Sequence, residues 1–139
     1  LFTGAVADVR ASARRGVELA GSDLVDQLLI PNVNEQIVPM LKRRGGRING
    51  QLDALGIVET ATVSAAIVAA DVALKTASVD LIDLRIANGL GGKSFFVLTG
   101  EVSDIRSAIS AGAGNAAAAG LLTREVVIPR PHPELTQHL

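Results

Sequence analysis

"ANGLGGKSFFVLTG", residues 87–100, is the stretch on which the fold turns. Taken alone it comes close to a phosphate-binding loop: Ala87 stands at the first small position, and Gly92, Lys93 and Ser94 close the pattern. A phosphate loop works because it runs from a strand into a helix, whose first N–H groups and dipole face the anion. Here Ser94 runs straight into Phe95, Phe96, Val97, Leu98 and Thr99 and stops at Gly100. That run is aromatic and β-branched, which is strand composition. With a strand on its far side the loop has no helix N-terminus, and the nucleotide reading loses its physical basis. The glycines then need another cause. A strand-to-strand loop of Asn88, Gly89, Leu90, Gly91 and Gly92 leaves bare backbone and little side-chain bulk. Such a loop suits a place where several backbones converge.

Working outward, residues 55–60 ("LGIVET") and 79–86 ("VDLIDLRI") read as strands. In the second, Val79, Leu81, Asp83 and Arg85 are expected on one face and Ile82, Leu84 and Ile86 on the other. Residues 62–77 read as a helix, with Val63, Ile67, Ala70 and Leu74 at helical spacing. Residues 93–99 are the third strand and 101–119 a helix of very small residues, able to lie close on a sheet. Residues 123–128 form a fourth strand, stopped by Pro129. The order β-α-β-β-α-β predicts an α+β, ferredoxin-like arrangement.

Further out the chain repeats itself. "LFTGAVADVRASARRGVELAG" (1–21) matches "VLTGEVSDIRSAISAGAGNAA" (97–117), and after a two-residue shift "LLIP" (28–31) matches "VVIP" (126–129). The second copy is preceded by residues 55–96 and the first by nothing equivalent. The expected organisation is therefore the C-terminal half of a first domain over 1–41, a basic, glycine-rich linker over 42–51 and a complete second domain over 52–139.

Composition narrows the function classes. Of 139 residues 48% are apolar, with three Phe and no Trp or Tyr, so the core is built from small aliphatics. Thirteen basic and 14 acidic residues leave a net charge of -1, which gives no electrostatic footprint for nucleic acid. No Cys is present, so a disulfide frame or thiolate site cannot form within these residues, and His132 and His138 are the only histidines. The most apolar stretch, 54–74, carries Glu59 and Asp71, too costly for a membrane span. With no leader pattern at residue 1, a soluble, cytoplasmic protein is expected. Glu59, Asp71, Asp80, Asp83 and Asp104 are scattered over helix and strand faces, and those on helices are expected mostly on solvated faces. No histidine stands near a Ser or Asp in a recognisable motif, so the chain is not expected to be an enzyme.

"ALGIVET", "AADVALKTASVDL", the glycine-rich loop, "TGEVSDIRSAI" and "VIPRPH", in this order, resemble the bacterial microcompartment shell domain. The likeness is strong over 54–139 and runs through 1–41 as a half copy. "NGLGGK" and the tandem layout are similar to the trimeric tandem-domain type found in propanediol-utilisation compartments. The resemblance implies a structural protein of the compartment shell. Three tandem chains would form a flat pseudohexameric disc, and discs would tile edge to edge with neighbouring shell proteins. It implies that Asn88, Gly89, Leu90, Gly91 and Gly92 line a central pore for small metabolites or electron transfer. Lys75 matches the family's edge lysine, while Arg130, between two prolines, and His132 would join it at the disc edge. Asn32 stands where Arg130 does, so the two edge types are expected to differ. Some relatives hold an iron–sulfur cluster at the pore through a Cys in the first domain's loop. No cofactor is expected on this chain, which has no Cys. The competing class is a ferredoxin-like module that binds a small regulatory molecule, since this fold hosts many functions.

Overall fold

The computed structural model describes residues 1–42, 52–87 and 89–138. It divides into two compact units, Leu1–Val33 and Asn34–Leu139. Most of the 42–51 linker thus lies outside the described residues, as does Asn88.

The first unit is built on one helix, α1 (Val6–Ala20). Gly21, at φ 52°, ends it, and a short 3-10 turn follows over Gly21–Asp23. No residue of α1 is buried. Residues 24–30, which match the strand-forming region of the second copy, form no strand among the described residues.

The second unit opens with α2 (Ile37–Lys42) and continues β1 (Ala54–Thr60), α3 (Val63–Thr76), β2 (Asp80–Ile86), β3 (Ser94–Gly100), α4 (Val102–Ala118) and β4 (Leu122–Pro129). The β-α-β-β-α-β order is the expected one. The strands form one antiparallel sheet in the order β2-β3-β1-β4. A helix thus joins β1 to β2 and another joins β3 to β4, and the two helices pack side by side against the sheet. Thr62 starts α3: its side-chain oxygen accepts the Ala65 N–H at 3.2 Å, satisfying one of the donors that a helix start leaves open. Small residues set the helix spacing. A Cβ on Gly112 of α4 would stand 2.6 Å from the carbonyl oxygen of Ala69 on α3, a contact that real Cβ atoms do not make. The layer between helices and sheet is filled by Phe96, Leu98, Ile105, Ile109 and Val58, all nearly inaccessible. On the sheet's other face Leu52, Leu55, Ile82 and Val97 form a second cluster, against which Leu135 packs.

The strict alternation expected along residues 79–86 does not hold. Leu81 pairs with Leu98 and Asp83 with Val97, so Ile82 is an extra residue in β2, a β-bulge. Because cross-strand partners share a face, Leu81 joins Leu84 and Ile86. Ile82 packs with Val97 on the face that Asp83 and Arg85 occupy.

Residues 34–36 and α2 pack within the second unit, although the repeat assigns them to the first copy. β2 is an edge strand, and the Gln36 amide grips its outer side. Nε2 donates to the Val79 carbonyl at 3.1 Å, and Oε1 accepts the Leu81 N–H at 2.8 Å. One side chain thereby blunts an otherwise bare sheet edge. Ile37 follows it and is fully buried.

Candidate functional site

The loop after Ile86 is a tight strand-to-strand turn. Ala87 N–H reaches Lys93 O and Ser94 Oγ, each at 3.2 Å, and Lys93 N–H donates to Leu90 O. Ser94 is fully buried, and so is Thr60, whose Oγ1 donates to Thr62 O at 2.9 Å with Ser94 O at 3.4 Å. The base of the loop is therefore fixed. Its tip takes left-handed backbone at Ala87 (φ 51°), Gly89 (75°), Gly91 (61°) and Gly92 (91°). Three of these four positions are glycine, the residue for which such φ values carry no steric cost. A Cβ at Gly89, Gly91 or Gly92 would meet nothing within 4 Å, so within one chain the glycines answer to φ and not to crowding. Gly89, Gly91 and Gly92 are exposed and Leu90 is half-buried; Asn88 lies outside the described residues. Among the described residues no helix begins at the loop, in agreement with the rejection of a phosphate site.

Paired charges flank the loop. Lys93 Nζ lies 3.8 Å from Glu59 Oε1. Arg85 Nε donates to Asp83 Oδ2 at 2.8 Å, and its guanidinium carbon sits 5.8 Å from the Phe95 ring centre.

Lys75, Arg130 and His132 lie at the opposite end of the sheet. β1 carries the chain away from its junction with Pro129 to Thr60, beside the loop, and α3 returns to the start of β2. Lys75 is in the last turn of α3. Arg130 follows β4 and donates its N–H to Asp53 O at 2.7 Å, just before β1. Asp53 also accepts the Val102 N–H at the start of α4, at 3.3 Å. The sheet thus separates the loop from these three residues by about 20 Å, the length of seven strand residues. It also holds Lys75 and Arg130 apart, since β2 and β4 are opposite edges, about 14 Å from each other at strand spacing.

Arg130 has φ 47°, an uncommon conformation for a residue with a long side chain. Its repeat partner Asn32 has φ 56°. The likeness continues past the kink. Ile37 N–H donates to Asn34 O at 3.1 Å, and Leu135 N–H to His132 O at 2.9 Å. Gln36 N–H donates to Asn34 Oδ1 at 3.0 Å, and Glu134 N–H to His132 Nδ1 at 3.3 Å. His132 therefore does the turn-capping work of Asn34, with Nδ1 as acceptor.

Two carboxylates are buried: Asp71, on a helix where a solvated face was expected, is 5% exposed, and Asp83, on β2, is 4% exposed. Asp71 accepts the Asn34 N–H at 2.7 Å on Oδ1 and faces Lys75 Nζ at 2.5 Å with Oδ2. The Asp71–Lys75 spacing of four was the available signal. The role of residues 34–36 had none beyond the apolar pattern of Val33, Ile37 and Leu41.

Among the described residues no group of three or more His, Asp or Glu gathers as metal ligands. Without Cys, these residues offer no thiolate to an iron–sulfur cluster. Among the described residues no helix is long and apolar enough to cross a membrane.

The model of the BMC domain family matches residues 54–131. Over 139 residues the sequence is 38% identical to the bacterial microcompartment shell protein PduT of Citrobacter freundii, covering 100% of this chain and 74% of that protein. It is 36% identical to the shell protein EutM of Escherichia coli K12 over 86 residues, 62% of this chain and 87% of that one. The crystal structure of a microcompartment protein from Desulfitobacterium hafniense matches with a TM-score of 0.84 at 40% identity, covering 96% of this chain and 73% of its own. Both long matches run through the first copy of the repeat as well as the second. The chain belongs to the BMC domain family, whose members among these relatives are shell proteins of bacterial microcompartments.

Proposed function

We propose that this chain is a structural tile of a microcompartment shell in the bacterial cytoplasm, with no catalytic role. Three copies form a disc in which each contributes a second domain, over 52–139, and a first domain of which 1–41 is the C-terminal half. The loop 88–92 lies at the disc axis and lines a pore for small polar metabolites. Lys75, Arg130 and His132 lie at the rim and meet neighbouring shell proteins.

The observation that supports this reading is the polarity of the sheet. The glycine-rich turn is fixed at one end, and all three rim candidates collect at the other. A tile needs that division: a narrow, backbone-rich tip toward the axis and long cationic side chains toward neighbours. The loop's exposed glycines leave backbone groups free to meet a passing solute without side-chain obstruction. At the rim, a lysine stem can lie along its neighbour's while the ammonium reaches carbonyls, and a guanidinium offers five donors in a fixed plane.

Electron microscopy of assembled protein tests the reading. Lys75→Ala and Arg130→Ala should each abolish extended sheets while leaving the trimer intact in size-exclusion chromatography. Wild-type sheets from both variants would remove the rim assignment. Saturable small-molecule binding by a protein that never forms arrays would favour the ligand-binding module instead.

A further inference from the structure

Asp71 is a buried charge that the proposed assembly does not yet use. It lies on α3 between Ala70 and Val72, and its two carboxylate oxygens serve different partners. Oδ2 pairs with the Lys75 ammonium one turn later, and Oδ1 takes the backbone N–H of Asn34, thirty-seven residues earlier. An exposed ion pair at this helical spacing is a weak and common contact. This one differs on two counts. The carboxylate side chain is 8% exposed against 41% for the lysine, so the acid is fixed while the base reaches solvent. The second donor also comes from outside the helix, on a segment held by the two hydrogen bonds of Gln36 and by buried Ile37. A buried carboxylate with two donors has a defined orientation, and removing one donor leaves charge uncompensated on that side.

We propose that Asp71 is a positioning residue for the disc rim. It holds the Lys75 ammonium in the pose that meets a second copy of the tile, and it does so while residues 34–37 are docked on β2. The inference rests on the rim reading of Lys75. Its consequence is a coupling: a chain whose 34–37 segment is undocked presents a loose lysine and tiles poorly. The surface therefore favours neighbours only after the joint between the two repeat copies is made.

The test uses the full chain with Asp71→Asn, Gln36→Ala and Lys75→Ala. Asparagine keeps an oxygen for the Asn34 N–H but turns a donor toward the ammonium. Expected for Asp71→Asn are unchanged trimers, loss of the slowly exchanging Lys75 ammonium signal in 15N NMR, and an array threshold raised about tenfold, the scale of one charge-assisted contact. Gln36→Ala should quicken exchange of the Asn34 amide and the Lys75 ammonium together. Wild-type arrays and ammonium signal in Asp71→Asn would overturn the positioning role, even with Lys75→Ala defective. A loosened Asn34 beside an unchanged Lys75 signal in Gln36→Ala would overturn the coupling. Wild-type arrays from Lys75→Ala would sink the rim reading of Lys75 and this inference with it.

Discussion

At residue 130 an arginine holds a backbone shape that asparagine holds in the other copy. Left-handed backbone costs an ordinary L-residue on the order of 1–2 kcal/mol, and asparagine tolerates it better. Strain kept at an exposed arginine points to a task for the guanidinium rather than for the fold. Arg130→Asn should therefore raise stability to unfolding by about 1 kcal/mol and still lose array formation. Denaturant titration beside electron microscopy reads both. A variant less stable than wild type would show that the side chain supports the fold. The sequence made Arg130 visible because its copy carries Asn32 and because prolines flank it. Asp71 was less legible. Its helix is alanine-rich on several sides, so periodicity does not say which face is buried, and an aspartate there looks solvated until the Asn34 N–H is seen on it.

The helices give the clearest comparison between copies, because α1 and α4 carry glycine at matching places. Gly112 is pressed against Ala69 O, whereas a Cβ on Gly16 would meet nothing within 4 Å. Gly112→Ala should destabilise the second unit by about 1–3 kcal/mol, the usual cost of overpacking. Gly16→Ala should instead strengthen α1 by about 0.5–1 kcal/mol, since only the backbone-entropy effect remains. Urea unfolding for the first and circular-dichroism helicity for the second check the pair. A matching loss for both would mean that α1 is packed as α4 is. The limits of the six elements from β1 to β4 were readable to within a residue or two from apolar spacing and from glycine and proline signals, whereas α2 was not read. The bulge at Ile82 was not, since "DLIDLRI" alternates well enough by itself and the extra residue is defined only by the register of β3. The amide grip of Gln36 was equally hidden, because it joins residues more than forty apart.

For the whole molecule the proposed function predicts that the two ends of the sheet can be altered independently. Assembly chemistry belongs to the end with Lys75 and Arg130, and passage of solutes to the end with the glycine turn. A Cβ at Gly89, Gly91 or Gly92 of the loop tip would meet nothing within 4 Å, while the loop's base is secured by buried Ser94 and Thr60. A charge placed at Leu90 should therefore leave the fold and the arrays unchanged. Under threefold assembly it appears three times around a narrow opening, where the low-dielectric wall strengthens its field. Leu90→Glu should slow the flux of small anions across assembled shells by about tenfold or more, and Leu90→Lys should not. At raised salt the difference should shrink, because screening over about 10 Å or less reaches the scale of such an opening. Equal anion flux in all three proteins would place the turn away from the route through the disc. Loss of arrays in Leu90→Glu, with arrays kept in Lys75→Ala, would reverse the tile and put the glycine turn at its rim.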